Sequence, residues 1–368
     1  MTGNQTVRIG IIGLGGIGRV HADHLGALAS TEGIAAELAG GMDISPDARR
    51  TFAQEYGVET VSEAEALYER VDAVIVTTPN RFHEEYVVGA LDAGLDVLVE
   101  KPLAHTLESA ERIAEAAERS DQICMVGFHN RFAPRVQVLK EAVDSGRFGS
   151  VTHVDATYVR RRGIPGRGSW FTDEAVAGGG ALIDIGAHAI DLALYFMNFP
   201  EIVEVSGVAR SSFGVNEEYT YLEMWGEDGD GEFTVDDSAN AMLRCADGQT
   251  IVLDTAWASN RPSENTYRVR GTEAGADLDR KEDELTIYEV GDAGGPHFSD
   301  ATITTRQQSA HRNEQRAFLH AVSSGEEPGT NTVEEALTVQ RVLEAIYESS
   351  ETGEAVSFRE SPPLTRGD

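Results

Sequence analysis

The stretch "VRIGIIGLGGIGRVHADHL", residues 7–25, decides the fold. Residues 7–12 are mostly apolar and β-branched without alternation, which predicts a strand buried on both faces. Gly13, Gly15 and Gly18 then follow the spacing G-x-G-x-x-G, and an apolar helical pattern comes next. A glycine turn between a buried strand and a helix is the arrangement that receives the pyrophosphate of a dinucleotide. The stretch therefore predicts the first strand–turn–helix unit of a dinucleotide-binding domain.

Each glycine of this loop has a separate physical task. Gly13 allows the tight turn, Gly15 lets a pyrophosphate approach the backbone, and Gly18 permits close packing of helix on sheet. Asp43 follows a second buried run and can accept hydrogen bonds from a ribose diol, while it would repel a 2′-phosphate. NAD is therefore the expected cofactor, with NADP as the alternative. The cofactor-binding residues predicted from this part of the chain are Gly13, Gly15, Gly16, Ile17, Gly18 and Asp43.

Strands and helices continue to alternate up to residue 128. Buried runs at 71–79, 96–102 and 122–128 predict further strands, with helical patterns between them. Such alternation predicts an α/β class, a doubly wound parallel Rossmann sheet with right-handed crossovers. Residues 1–128 are the predicted NAD(P)-binding domain.

The remainder, residues 129–368, has a different pattern. Strand-like runs at 150–160, 202–210, 218–226, 239–259 and 266–272 predict a large, mostly antiparallel open sheet. Helices are predicted at 133–145, 178–197, 309–323 and 333–350, and the segment 272–300 has the composition of a loop. This second part is predicted to be an α+β domain for substrate binding and oligomerisation.

Charge excludes several classes of partner. The chain of 368 residues has 62 acidic and 30 basic residues, a formal net charge of −32. Nucleic acid and anionic membranes are not expected partners, because both need clustered basic residues. Heavy use of Asp and Glu with few lysines indicates a high-salt cytoplasm, where salt screens self-repulsion.

The chain has no signal-peptide pattern at its start, and no apolar run reaches the roughly 18 residues of a membrane helix. Its two cysteines, Cys124 and Cys245, do not indicate a disulfide framework. These features predict a soluble, cytoplasmic protein.

A second group of polar residues lies at the ends of later strands. It comprises Thr77, Thr78, Pro79, Asn80, His83, Glu100 and Lys101. Ligands of open parallel sheets bind at those strand ends, so these residues are predicted to contact the cofactor. Lys101 is one of only three lysines in the chain. The alternative is a surface lysine paired with Glu100, a task that arginine would perform equally well.

The third group lies in "GGGALIDIGAHAIDLAL", residues 178–194. Asp184, His188 and Asp191 fall at i, i+4 and i+7, on one face of a predicted helix. A histidine tuned by a carboxylate can act as a general base. A metal site is a weaker alternative, since no cysteine or second clustered histidine completes it.

"RRRGIPGR", residues 160–167, concentrates arginine in an acidic chain. Arg160 and Arg161 either contact a polar or anionic substrate or neutralise neighbouring carboxylates. Trp170 either forms the wall of a substrate pocket or belongs to the core.

Together these motifs resemble those of the Gfo/Idh/MocA family of NAD(P)-dependent oxidoreductases, over nearly the whole chain. The resemblance implies that Lys101, Asp184 and His188 are catalytic and also contact the substrate. It assigns Asn130 to the cofactor and Arg131 to the substrate, from "GFHNRF", and implies a cis bond before Pro102. It further implies a homodimer or homotetramer formed through the second sheet.

The expected reaction is therefore oxidation of a secondary alcohol or hemiacetal of a sugar or cyclitol. His188 would take the hydroxyl proton, Asp184 would orient His188 or the substrate, and Lys101 would stabilise the reacting oxygen. Two alternatives remain, an NAD-dependent glycosidase that works through transient oxidation and a non-enzymatic NAD-sensing regulator. No metal is expected.

Overall fold

The structure is a computed structural model that describes residues 6–32, 34–216, 218–219 and 231–358. The chain forms two compact units. The first unit is Met1–Pro134 with Glu174–Gly178 and Arg306–Gln340, and the second is Arg135–Asp173 with Gly179–Thr305 and Arg341–Asp368. Two short parts of the chain after residue 129 thus fold with the first sheet. The functional boundary between residues 128 and 129 stays a prediction.

The first unit is built on strands that alternate with helices. In chain order these are β1 (Val7–Ile12), α1 (Gly16–Glu32), β2 (Ala36–Met42), α2 (Pro46–Tyr56), β3 (Thr60–Val61), α3 (Ala64–Tyr68), β4 (Ala73–Val76), α4 (His83–Asp92), β5 (Asp96–Glu100), α5 (Leu107–Arg119) and β6 (Cys124–Gly127). The six strands form one parallel sheet in the order β3-β2-β1-β4-β5-β6. The direction of winding reverses between β1 and β4, which confirms the doubly wound prediction.

The buried runs found in the sequence are the centre of this sheet. Ile9, Ile11, Ile75 and Leu98 are almost completely buried in one apolar cluster, since helices cover both faces. Local signals also act as expected: the Ser45 side chain accepts a hydrogen bond from the first turn of α2. The short β3 and α3 are absent from the sequence prediction.

After β6 the chain continues with α6 (Pro134–Asp144), β7 (Val151–Val159), α7 (Glu174–Ala177), α8 (Ala187–Phe196), β8 (Ile202–Arg210), β9 (Ser238–Cys245), β10 (Thr250–Ala256), β11 (Glu264–Gly271), β12 (Ala274–Asp279), β13 (Glu284–Gly291), β14 (His297–Thr302), α9 (Ala310–Ser324), α10 (Val333–Thr352) and β15 (Val356–Ser357). A nine-stranded sheet of the described residues has the order β14-β13-β12-β11-β7-β10-β9-β8-β15. Only the β7–β10 pair is parallel among its described ladders. The predicted large, mostly antiparallel sheet is therefore confirmed.

The prediction of a loop at 272–300 is wrong. This segment contains β12, β13 and the first part of β14. Apolar residues do alternate there, with Ala276, Leu278, Leu285 and Ile287 buried. The many aspartate, glutamate and glycine residues of the segment concealed this alternation in the sequence. The strand predicted at 218–226 lies almost entirely outside the described residues.

The apolar helix that contains Asp184 is a core helix. Among the described residues, Glu174–Phe196 is the one helical stretch that is long and apolar enough to cross a membrane by length and composition. Of its most apolar window, 78% is buried inside the protein. Its hydropathy therefore reflects packing in the interior.

Candidate active-site residues

The glycine loop adopts the geometry expected of a pyrophosphate cradle. Gly13 has φ +94°, and a Cβ there would lie 2.9 Å from the backbone of Thr77. A Cβ on Gly18 would lie 2.1 Å from the Gly13 oxygen, so this helical turn can only be glycine. Gly15 and Gly16, by contrast, have nothing within 4 Å of an added Cβ. The loop is tight where it meets the protein and open where a dinucleotide would approach, as the prediction requires.

The end of β4 shapes this loop. Thr77 Oγ1 donates to the Gly13 oxygen at 2.6 Å, so Thr77 holds the loop. Thr78 Oγ1 is buried and has no hydrogen-bond partner among the described residues. An unsatisfied buried hydroxyl is costly, and a cofactor oxygen could satisfy it. Asn80, which follows Pro79, is nearly buried and donates to the backbone oxygen of Ala177 at 2.8 Å.

Asp43 lies at the end of β2, beside the glycine loop. One of its carboxylate oxygens accepts from the Leu14 N–H at 2.8 Å, and the other accepts from the Ser45 N–H at 2.8 Å. The carboxylate therefore ties the loop to the start of α2. It retains further lone pairs for a ribose diol, so the residues present fit a dinucleotide.

His83 lies between the strand ends and contacts the backbone of both. It is fully buried, with Nδ1 3.0 Å from the Pro102 oxygen and Nε2 3.0 Å from the Thr78 oxygen. Burial lowers the pKa of His83. Both ring nitrogens face backbone carbonyls, so the predicted contact between His83 and the cofactor does not match this position. His83 instead links the strand ends that carry Thr78 and Pro102.

Glu100 is held by a histidine that the sequence analysis did not identify. His21 of α1 is buried and donates through Nε2 to Glu100 Oε1 at 2.9 Å. Burial would raise the pKa of Glu100, but the His21 hydrogen bond, with His311 and Lys101 nearby, holds that pKa at about 2. Glu100 is therefore an anion at neutral pH. The spacing of His21, three residues after Gly18 on the same helix, could have indicated this contact.

Further histidines surround this hydrogen-bonded pair. His311 of α9 stacks on His129 with ring centroids 3.6 Å apart and also lies near His21 and His24. Burial lowers the pKa of His311 to about 4, although Glu100 opposes the shift. His311 is thus neutral at neutral pH. Among the described residues, no group of three or more potential ligands is arranged to hold a metal ion.

Lys101 follows Glu100 directly at the end of β5. The peptide bond between Lys101 and Pro102 is cis, as the resemblance implies. Lys101 is half-buried and contributes to the low pKa of Glu100. The topology therefore brings the predicted lysine to the strand ends, together with Thr77 and the glycine loop.

Arg131 corrects one substrate prediction. Its side chain is fully buried, pairs with Glu335 at 2.6 Å, and donates to Thr330 at 3.1 Å. Its guanidinium also lies over the Phe128 ring at 5.7 Å. The burial leaves no surface for a substrate, so Arg131 stabilises the first unit. Asn130 is also buried, and its contact with the cofactor stays a prediction.

The second unit contains Asp184 and His188 in an irregular helix. Leu182–Gly186 is π-helical and continues directly into α8, so the α-helical spacing assumed from the sequence does not hold throughout. Asp184 Oδ2 accepts from the indole Nε1 of Trp257 at 2.9 Å. π-helical turns are frequent at functional sites, and this one sets the directions of Asp184 and His188.

Glycines and a buried carboxylate anchor this turn. A Cβ on Gly180 would lie 1.8 Å from the Asp236 oxygen, and one on Gly179 would lie 2.1 Å from Tyr347 Oη. Asp236 accepts from the N–H groups of Gly180 and Leu182 at 2.8 and 2.9 Å, and from Tyr347 Oη at 2.7 Å. Burial raises the pKa of Asp236, while these donors lower it. The sequence analysis did not identify Trp257, Asp236 or Tyr347, because only the tertiary fold brings them to this turn.

The other predicted residues of the second unit differ in their exposure to solvent. Asp191 is fully buried in α8, so it belongs to the interior. Trp170 stacks on Phe171 with centroids 3.7 Å apart and is partly exposed. Arg160 is half-buried and Arg161 is exposed.

Comparison with known proteins identifies the family. Residues 7–128 match the family model described as "Oxidoreductase family, NAD-binding Rossmann fold", and residues 136–277 match "GFO/IDH/MocA C-terminal domain". The chain belongs to the GFO/IDH/MocA oxidoreductase family. It is therefore an NAD(P)-dependent oxidoreductase, which confirms the class of enzyme and cofactor predicted from the motifs.

Individual relatives span nearly the full length of this GFO/IDH/MocA protein. It is 30% identical over 361 residues to the D-glucoside 3-dehydrogenase of Escherichia coli (strain K12), covering 96% of this chain and 98% of the relative. It is 30% identical over 330 residues to the myo-inositol 2-dehydrogenase of Thermotoga maritima, covering 88% and 91%. A levoglucosan dehydrogenase solved with NADH and levoglucosan has the same fold, with TM-score 0.84, 23% identity and coverage of 97% and 100%.

Proposed function

We propose that this protein oxidises a secondary alcohol or hemiacetal of a sugar or cyclitol, with NAD as the hydride acceptor. The observation that carries the proposal is the anchored π-helical turn, which presents Asp184 and precedes His188 in a family member with an intact glycine loop. D-glucoside and myo-inositol dehydrogenases among the relatives support the substrate class. The cytoplasm is the proposed location.

Three residues have assigned roles. His188 accepts the hydroxyl proton as general base, and Asp184, fixed by Trp257, orients the substrate or His188. Lys101 donates a hydrogen bond to the reacting oxygen and stabilises the negative charge that develops there. A positioned base contributes roughly 10²–10⁴-fold to the rate.

The role of Lys101 can be tested directly, because a second lysine of the chain provides a control. Lys101→Ala should lower kcat by at least about 10²-fold while NAD binding is retained, because its role is in the chemical step. Lys281→Ala is the control, since Lys281 is exposed and pairs only with Glu282 in the described chain. Rates of NADH formation on a panel of aldoses, cyclitols and glycosides measure the effect. Equal turnover by wild type and Lys101→Ala would refute the assignment.

We also propose a homodimer or homotetramer formed through the open face of the second sheet. Val208, Met242 and Val252 are 44%, 47% and 38% exposed there, an apolar area on an otherwise charged face. Sedimentation equilibrium measures the assembly, and a monomer at micromolar concentration would contradict it.

A further inference from the structure

One side of α1 reaches two neighbouring strand ends of the first sheet. Gly18 and His21 are three positions apart in this helix, so they lie on the same side of it. A Cβ on Gly18 would lie 3.0 Å from Thr77 Oγ1 at the end of β4. His21 contacts Glu100, the last residue of β5. The helix that begins at the glycine loop is therefore connected to the strand end that precedes Lys101.

Glu100 is the one polar partner of the His21 ring in the described part of the chain. The ring Nε2 lies 2.9 Å from Glu100 Oε1, while Nδ1 is buried and has no hydrogen-bond partner among the described residues. Because Nε2 faces a carboxylate, it acts as the donor. The backbone of His21 is fixed as well, since its oxygen accepts from Nε2 of the buried Gln315 at 3.2 Å. The ring is thus held in place and directs one N–H at Glu100.

The Glu100 side chain has little freedom. It is buried and pairs across the sheet with Gly127, where an added Cβ would lie 3.3 Å from Glu100 Oε2. A buried carboxylate without a donor is costly, so the bond from His21 favours a single position of this side chain. Glu100 and Lys101 share a peptide bond, and a fixed Glu100 therefore fixes the start of the lysine side chain.

The other neighbour of Lys101 is held independently. The backbone oxygen of Pro102 lies 3.0 Å from Nδ1 of His83, which is fully buried. All of these residues belong to the first unit. Lys101 therefore extends from a backbone that buried histidines hold on both sides. Of the two contacts, that of His21 comes from the helix of the glycine loop.

We propose that His21 is a positioning residue for Lys101, because through Glu100 it holds the backbone from which the lysine would reach the reacting oxygen. This inference rests on the proposed function, in which Lys101 donates to that oxygen. The four-carbon stem of a lysine is flexible, so the ammonium group is directed only if the start of the stem is fixed. A displacement of about 1 Å can lower a rate roughly 10²-fold. The histidine thus needs no contact with the substrate to affect turnover.

Two amide substitutions separate the hydrogen bond from the volume of the ring. His21→Gln keeps an N–H donor at about the reach of Nε2, whereas the side chain of His21→Asn is one methylene shorter and loses the bond to Glu100. His21→Asn should lower kcat at least about tenfold, with the dissociation constant of NAD within about threefold of wild type. His21→Gln should keep kcat within about threefold. Equal kcat in wild type and His21→Asn would overturn the inference.

His24→Asn is the matched control, because His24 lies about one turn further along α1 and contacts Ser309. It should leave kcat within about twofold of wild type. A loss as large as that of His21→Asn would show that any disturbance of α1 lowers turnover, and it would overturn the specific role of His21.

A double-mutant cycle with Lys101→Ala distinguishes positioning from a structural role. If His21 acts only through the lysine, His21→Asn should lower kcat less than about twofold once Lys101 is replaced. A structural role would lower kcat by the same factor in both backgrounds, and that result would overturn the inference. Denaturant unfolding identifies the variants that are folded. If His21→Asn does not fold, Glu100→Gln is added to remove the buried charge, and restored turnover in that variant would also overturn the inference.

The lysine signals give a readout that does not depend on turnover. The chain has three lysines, so protein labelled with ¹³C at the lysine Cε gives three NMR signals, assigned with Lys101→Ala and Lys281→Ala. In the NAD-saturated protein, His21→Asn should shift or broaden the Lys101 signal and leave those of the other two lysines unchanged. An unchanged Lys101 signal would overturn the inference. If no sugar reduces NAD, the proposed function fails, and this measurement alone decides whether His21 holds Lys101.

Discussion

At the scale of the residue, the atoms around each buried ring decide what a histidine does. His83 is fully buried and faces two backbone carbonyls, so it supports the strand ends. His21 is equally buried, but it faces a carboxylate and keeps Glu100 ionised with a pKa of about 2. His311 has lost its charge to burial. The residue type alone indicates none of these differences, because each depends on the atoms that the fold places around the ring.

The His21–Glu100 pair gives a prediction for stability. His21→Ala should cost about 3–5 kcal/mol of unfolding free energy, since it leaves a buried carboxylate without its donor. His21→Ala with Glu100→Gln should recover part of the loss, and His320→Ala on the exposed face of α9 is the control. Denaturant unfolding measures all four proteins, and a loss below about 1 kcal/mol in His21→Ala would contradict the prediction.

The same pair fixes the sign of a pH effect. The pKa of Glu100 is lowered in the folded state, so its contribution is complete above its ordinary value near 4.5 and is lost as pH falls towards 2. His21→Ala should remove this slope between pH 4.5 and 2, because burial then raises the pKa.

Sequence reasoning succeeded for residues whose task follows from the backbone. Gly13 and Gly18 occupy the tight turn and the close approach expected of them, because both restrict the residue type to glycine, while their contact with the cofactor stays a prediction. Arg131 was misassigned to the substrate because its buried partner, Glu335, is 204 positions away. Sequence spacing does not reveal such long-range pairs.

At the scale of the element, the π-helical turn Leu182–Gly186 is the most informative feature. Each residue in it turns less than in an α-helix, so the angle between Asp184 and His188 is specific to this turn. Asp236 holds the turn through two backbone N–H groups, and Tyr347 holds Asp236.

Asp236→Ala should therefore lower both stability and turnover. Loss of the carboxylate leaves two buried N–H groups unsatisfied, which costs about 2–4 kcal/mol, and kcat should fall because Asp184 is displaced. Tyr347→Phe removes one donor and should cost about 1 kcal/mol. Denaturant unfolding measures the loss of stability in both variants, and initial rates with an NAD titration measure kcat in Asp236→Ala. An unchanged kcat in folded Asp236→Ala would show that the turn is not needed for catalysis.

The elements of the first unit could be predicted more accurately than those of the second. β1 lies at the predicted residues, since an unbroken β-branched run permits few alternatives. β12 and β13 were missed because the segment that contains them is rich in glycine, aspartate and glutamate, a composition typical of loops. Alternation was the better signal there than composition.

At the scale of the whole molecule, the net charge decides how stability depends on salt. The net charge of −32 produces strong repulsion between like charges on the surface. The exposed arginine–carboxylate pairs offset little of it, because each contributes at most about 1 kcal/mol. Adaptation to high salt is accordingly proposed for this protein, because salt shortens the Debye length from about 30 Å at 0.01 M to about 3 Å at 1 M.

The melting temperature and the activity should therefore rise with KCl into the molar range. Screening of self-repulsion outweighs the weakening of surface ion pairs. Thermal unfolding and initial rates from 0.05 to 3 M KCl measure the effect, with betaine at equal osmolality as the control. A melting temperature that falls with KCl would contradict the proposed adaptation.

The scarcity of lysine has a chemical consequence if reducing sugars are among the proposed substrates. Open-chain aldoses condense with free amines to form Schiff bases, and guanidinium groups, which are always protonated, do not react in this way under mild conditions. Lys140 is engaged by Asp144 and Asn198 and is only 14% exposed, which leaves Lys281 as the one side-chain amine more than half exposed in the described chain. A surface built from arginine would thus limit glycation by the sugars that are the proposed substrates.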